Sequence, residues 1–216
     1  MRKVRVVPAI LTDDVTALKK MADQIREAVT WAQVDIMDGG FVPSKSIGWQ
    51  AAKAAELPFA WEVHLMVKDP ETWFSDFKFA GASRVIFHFE AAPEPRCVIE
   101  SARKLGLDVG MAINPETSVA TVAEFLPLLD NVLLMSVNPG FYGAKFIPEV
   151  LQKISQIRAL LPNISISIDG GIKEANLLEV VSSGVDDICV GSAVFCTPDP
   201  AESYRRLQSM VDAATC

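Results

Sequence analysis

The chain has 216 residues, 50% of them hydrophobic and 22% charged, with a net charge of −7. This composition suits a single unit with a large core, excludes a disordered chain, and contains no apolar run of membrane-spanning length. The negative balance argues against nucleic acid as a partner, because phosphate backbones select basic faces, yet it leaves room for a small phosphorylated ligand held on backbone N–H groups.

In chain order, strand-like apolar runs alternate with helix-like patterns. Val4 to Leu11 reads as the first strand. Thr12-Asp13-Asp14 can cap a helix that carries Val15, Leu18, Met21, Ile25 and Val29 on one face. Ala32 to Met37 is the second strand, followed by a polar loop from Asp38 to Gly48 and a short helix from Trp49 to Glu56. Phe59 to Met66 is the third strand, and Lys68-Asp69-Pro70 opens a helix that ends near Gly81. Arg84 to Phe89 is the fourth strand, with a helix from Pro95 to Leu105 stopped by Gly106. Asp108 to Ile113 is the fifth strand, with a helix from Thr117 to Leu126, and Asn131 to Ser136 is the sixth. A glycine loop, Val137 to Lys145, leads to a helix from Pro148 to Leu161. Ile164 to Asp169, a helix from Lys173 to Ser183, Asp187 to Val190 and a last helix from Ala201 to Ala213 complete the pattern. Eight βα units with short connections and strands apolar on both faces predict one closed (β/α)8 TIM barrel over 1–216. The rival doubly wound sheet needs a Gly-x-Gly-x-x-Gly after strand one, and Val7-Pro8-Ala9-Ile10 has none.

Barrels of this kind carry their working groups at the C-terminal ends of strands. Asp35, His64 and Asp169 close strands two, three and seven. A lone strand-end Asp is most simply a cap for the next helix. Two of them, each followed by glycines and with His64 between them in sequence, point instead to a hard or borderline divalent metal. Two carboxylates on opposite sides of a substrate can also remove a proton from one face of a carbon and return one to the other, inverting a centre beside a carbonyl. His88 admits two readings, a buried hydrogen-bonded histidine or a pocket group. Met37, Met66 and Met135, also at strand exits, are either core filler or an apolar pocket lining. The glycine stretches Pro139-Gly140-Phe141-Tyr142-Gly143, Asp169-Gly170-Gly171 and Val190-Gly191-Ser192 follow strands six to eight, where barrels commonly hold phosphate on backbone N–H groups. The four cysteines (Cys97, Cys189, Cys196, Cys216) show no paired spacing, and the N-terminus runs straight into a strand, so the expectation is reduced thiols in a cytoplasmic protein.

Val34-Asp35-Ile36-Met37-Asp38-Gly39-Gly40-Phe41-Val42-Pro43, Val63-His64-Leu65-Met66-Val67, Met135-Ser136-Val137-Asn138-Pro139-Gly140-Phe141, Ile168-Asp169-Gly170-Gly171-Ile172 and Val190-Gly191-Ser192-Ala193-Val194-Phe195 resemble, nearly end to end, the ribulose-phosphate 3-epimerase family. The resemblance implies a (β/α)8 barrel, interconversion of D-ribulose 5-phosphate and D-xylulose 5-phosphate in the pentose phosphate pathway, a divalent zinc, iron or manganese ion, and a homo-oligomer. It implies Asp35 as proton acceptor and Asp169 as proton donor, both ligating the metal beside His64. Gly140, Phe141, Tyr142, Gly143, Gly170, Gly171, Gly191 and Ser192 would hold the phosphate end. The sequence departs from the family's pattern at the pocket. Gln33 stands where the family typically has a metal-binding His, a neutral carboxamide being the weaker ligand. Ala9 replaces a Ser, Ser44 an Asn, and Tyr142 and Ala144 alter a Gly-Phe-Gly-Gly-Gln loop.

Three functions compete. The first is metal-assisted 3-epimerisation of a ketose phosphate. The second is a sugar-phosphate-binding barrel without turnover, motivated by Gln33 and Ala9. The third is the decarboxylase or aldolase chemistry of related barrels, which use an Asp-x-Lys-x-x-Asp stretch; Met37 stands where that Lys would be.

Overall fold

The computed structural model describes residues 3–140 and 144–215. Its strands are β1 (Arg5–Ile10), β2 (Trp31–Met37), β3 (Ala60–Met66), β4 (Arg84–His88), β5 (Asp108–Ile113), β6 (Asn131–Met135), β7 (Ser165–Asp169) and β8 (Asp187–Val190). They pair in parallel, each with the next, and β8 closes on β1 with Arg5 opposite Asp187 and Pro8 opposite Val190. Each strand end lies within one residue of the sequence expectation. The helices on the outside are α1 (Val15–Ile25), α2 (Trp49–Ala55), α3 (Phe74–Ala80), α4 (Pro95–Lys104), α5 (Val119–Val122), α6 (Gln152–Leu160), α7 (Glu174–Ser182), α8 (Ser192–Phe195) and α9 (Pro200–Thr215). No helix among the described residues is long and apolar enough to cross a membrane.

Alternation along each strand divides the core in two. One set of side chains packs outward under the helices, in a cluster that includes Val6, Val34, Val63, Val85, Ile166 and Ile188. The other set points inward, where Val7, Ile86, Ala112, Leu133 and Cys189 fill the middle of the barrel. The inward register on β2 is Gln33, Asp35, Met37, and on β3 it is Glu62, His64, Met66, with Asp35 directly opposite His64. Across the barrel, β7 brings Asp169 between Met135 of β6 and Cys189 of β8.

The helices expected from Pro70 and Pro148 begin as 3-10 turns, Pro70–Trp73 and Pro148–Leu151, and the helices depart from expectation in three further places. The helix expected over 117–126 shrinks to α5, because β-branched Val119, Thr121 and Val122 are weak helix formers and Pro127 cannot extend a helix; a 3-10 turn over Leu126–Leu128 follows. Val29 lies past the end of α1 but is still buried, carried in by a turn in which its N–H bonds the Ile25 carbonyl at 3.1 Å. The stretch after Gly191, which carries no expected element, forms the short α8. Cys97, Cys189 and Cys196 are free thiols.

Candidate active site

The pocket is a cleft that opens at the C-terminal ends of the strands. Asp35, His64, Asp169, the three strand-exit methionines, Gly140, Gly170, Gly171, Gly191 and Ser192 all line it, as does Ala9. Phe141, Tyr142 and Gly143 lie outside the described residues. Gln33 does not line the cleft; it is fully buried one step below, on the same face of β2 as Asp35.

Each acid is fixed through its own main chain. Ser46 Oγ donates to the Asp35 carbonyl at 3.1 Å and accepts from the Met37 N–H at 2.9 Å. Ser136 Oγ lies 3.0 Å from the Asp169 carbonyl and 2.7 Å from that of Gly170. Gly170, at φ 117, has no room for a side chain: a Cβ there would fall 2.5 Å from Val137. Asp38 folds the loop after β2 by accepting from the N–H groups of Gly40 at 2.7 Å, Phe41 at 2.9 Å and Lys68 at 2.8 Å.

At the centre, one oxygen of each acid and His64 Nδ1 lie within 4.8 Å of one another. His64 Nδ1 is 3.0 Å from Asp35 Oδ1 and 3.7 Å from Asp169 Oδ2. The Gln33 carboxamide nitrogen donates to both acids, at 2.8 Å to Asp35 Oδ1 and 2.7 Å to Asp169 Oδ2. Burial, then the charge of Asp35, push the Asp169 carboxyl up to about 7, against the pull of His64 and Gln33. Burial works against the His64 imidazolium, but the hydrogen bond and charge of Asp35, with Asp169, outweigh it and leave its pKa raised. A buried and a half-buried carboxylate beside one buried imidazole form a donor set of hard oxygens and one borderline nitrogen, so Asp35, Asp169 and His64 fit a divalent metal ion and could hold one.

Behind His64 runs a hydrogen-bonded chain that strand-end reading only half anticipated. His88 is fully buried, and its Nε2 sits 2.9 Å from His64 Nε2 while its Nδ1 faces Glu90 Oε2 at 3.4 Å. Glu90 accepts in turn from the Asn114 N–H at 2.8 Å and from Thr117 Oγ1. Burial, only partly offset by Glu90, lowers the His88 pKa to about 4, so the ring is neutral. With Nδ1–H given to Glu90, its Nε2 lone pair accepts from His64 Nε2–H. That leaves His64 Nδ1 as the atom aimed at the two acids. The first reading of His88 therefore holds: it is a buried, hydrogen-bonded histidine that does not line the cleft but positions His64, which does.

Cys189 was missed. Its thiol lines the cleft and lies 3.2 Å from Gln33 Oε1. Its position two residues before Gly191 on an alternating strand was the available signal. Burial and the charge of Asp169 raise its pKa well above the ordinary thiol range, so it stays protonated.

Residues 5–195 match the family model described as the ribulose-phosphate 3 epimerase family. The chain belongs to the ribulose-phosphate 3-epimerase family. Among the relatives, ribulose-phosphate 3-epimerase of Mycobacterium tuberculosis (strain CDC 1551 / Oshkosh) is 36% identical over 216 residues, covering 97% of this chain and 94% of that one. Ribulose-phosphate 3-epimerase of Synechocystis sp. is 38% identical over 217 residues, covering 96% of this chain and 94% of that one. Among solved structures, KGPDC from Streptococcus mutans in complex with D-R5P superposes with a TM-score of 0.76 at 11% identity, covering 99% of each chain, which bears on the fold alone. Membership makes the chain an isomerase acting on carbohydrate.

Proposed function

We propose that the chain interconverts D-ribulose 5-phosphate and D-xylulose 5-phosphate by two-carboxylate proton transfer at C3. The observation that carries this reading is the meeting of Asp35 and Asp169, brought by strands far apart in the chain, on one imidazole at a cleft lined by the glycines that follow β7 and β8. Asp35 takes the C3 proton from one face of the substrate, and Asp169 returns a proton to the other. Asp169 suits the donor role because it stands across the cluster from Asp35, on β7 rather than β2. A divalent ion such as zinc, iron or manganese, held by Asp35, His64 and Asp169, would supply positive charge for the enediolate oxygens. Met37, Met66 and Met135 keep the reacting carbons dry and so strengthen each charge around them. Backbone N–H groups of Gly170, Gly171, Gly191 and Ser192 hold the phosphate at the far end of the cleft.

The test is exchange of the C3 hydrogen of ribulose 5-phosphate with solvent deuterium, with and without added Fe(II), Mn(II) or Zn(II). Wild type should exchange and form xylulose 5-phosphate. Asp35→Asn and Asp169→Asn should each lose at least about 10²-fold in rate while keeping wild-type circular dichroism. Full exchange in Asp35→Asn, or full conversion to xylulose 5-phosphate in either variant, refutes the assignment. A second reading, a sugar-phosphate-binding barrel without turnover, draws on the Gln33 nitrogen lying between the acids and on Ala9 offering no hydroxyl to the cleft. It predicts ligand binding with no stoichiometric metal and no exchange, which elemental analysis of the purified protein and the same assay separate from the first.

A further inference from the structure

Gln33 is fully buried and its carboxamide is used at both ends. Nε2 gives one N–H to Asp35 at 2.8 Å and the other to Asp169 at 2.7 Å, while Oε1 faces the Cys189 thiol at 3.2 Å. In this orientation the atom nearest the acids is an amide nitrogen, which has no lone pair to offer a cation. It draws the two carboxylates together with charge-assisted hydrogen bonds, so it occupies the place that positive charge would otherwise take.

A carboxamide is nearly the same shape either way round, and its terminal torsion is broad and roughly two-fold. Half a turn exchanges Oε1 and Nε2 with no other side chain moving. An amide oxygen pressed against two carboxylate oxygens is repulsive, so the turned form is stable only with a cation among the three oxygens. The residue on the other side must then accept from an N–H where before it donated to a carbonyl. A thiol can do both. An aliphatic side chain at 189 could do neither.

We propose that Gln33 and Cys189 form a two-position latch on the cation site: nitrogen toward the acids closes it, and oxygen toward the acids completes a donor set of three oxygens and one imidazole. This rests on the reading that Asp35, His64 and Asp169 take a divalent ion. Two consequences follow from the latch itself. The ion must displace two hydrogen bonds to enter, so binding is weaker than at a site with a plain fourth ligand. The oxygen-rich set also narrows the usual advantage of Zn²⁺ over hard Mn²⁺ relative to a set with a second imidazole.

The experiment reads the S–H stretching band of Cys189 in the infrared spectrum of the full chain, identified as the band absent from Cys189→Ser. In chelator-treated protein the band should lie on the hydrogen-bond-donating side of a free thiol. Saturation with Mn²⁺, chosen because it has little affinity for sulfur, should move it to the free-thiol side. In Gln33→Leu the band should sit on the free-thiol side with or without Mn²⁺. Equilibrium dialysis should find one Mn²⁺ per wild-type chain and about tenfold tighter binding in Gln33→His, which keeps a ligand and removes the latch.

A band that stays put while Mn²⁺ binds overturns the latch, as does a wild-type band that starts on the free-thiol side. Failure to take up Mn²⁺ at all overturns it too. The wild-type shift is decisive even if the Gln33 variants do not fold. The spectra contain no substrate, so loss of C3 exchange with the shift intact counts against the epimerase reading and not against the latch.

Discussion

Glu62 and Arg84 form a largely buried ion pair inside the barrel. Glu62 is fully buried and accepts from Arg84 Nη1 at 2.9 Å, while its second oxygen has no hydrogen-bond partner among the described residues. Burial holds the Glu62 carboxyl above its ordinary pKa despite the pull of Arg84. Arg84→Met should therefore destabilise by about 3–5 kcal/mol, because it strands a buried acid, and adding Glu62→Leu should recover most of that loss. Urea denaturation of the two single variants and the double variant decides it; additive losses would mean the pair is not coupled. Glu90 allows a pH test. Burial opposes its ionisation, but hydrogen bonds from His88, Thr117 and the Asn114 N–H outweigh it and hold its pKa down to about 2 from an ordinary 4.5. A carboxyl depressed by folding stabilises the protein above its unfolded pKa, and that stability is lost as pH falls toward the folded value. With discounting for the part of the side chain open to solvent, the loss between about pH 4.5 and 2 comes to about 1–2 kcal/mol. Glu90→Gln should flatten this section of the stability curve; parallel curves for the two proteins would refute the assignment.

Among the elements, α1 shows local chemistry setting a boundary. Asp14 Oδ1 accepts from the Thr16 N–H at 2.6 Å and from Ala17 at 3.3 Å, so the helix starts where the Thr12-Asp13-Asp14 run foretold. Asp14→Ala should cost about 1 kcal/mol in the urea midpoint, and Asp14→Ser should restore most of it. At α5 the outcome differed because periodicity outlasted propensity: Val119, Val122 and Leu126 are all buried, yet β-branching and Pro127 let only one turn close. A hydrophobic face shows which side will be buried, not how many turns will form. The turns after β6 and β7 rest on steric contact that no composition reveals. Gly171, at φ 66, accommodates the main chain of Phe146 and Ala144 within 3 Å of where a Cβ would lie.

At the scale of the whole molecule, closure of the barrel depends on the C-terminal helix. β1 pairs with β2 through Ala9 and Ile10, so the first part of β1 needs another partner on that side. Gln208 of α9 supplies it: Oε1 accepts from the Val6 N–H at 2.8 Å and Nε2 donates to the Val4 carbonyl at 3.2 Å. Gln208→Ala should lower stability by about 1–3 kcal/mol within one cooperative unfolding transition, since it leaves a buried N–H unpaired; an unchanged midpoint would show that water serves as well. The sequence alone determined the barrel, because eight apolar runs with short helical connections have few other ways to bury both faces of every strand. It also determined which residues lie at the strand exits, since alternation of period two fixes the side each one faces. The tertiary structure alone decided which exits meet. Asp35 and Asp169 are 134 positions apart, and only the stagger of a closed sheet puts both within reach of Gln33 and His64. It decided, too, that Cys189 meets Gln33 and that Glu90 backs His88, because contacts across a barrel follow from closure and leave no periodic trace along the chain.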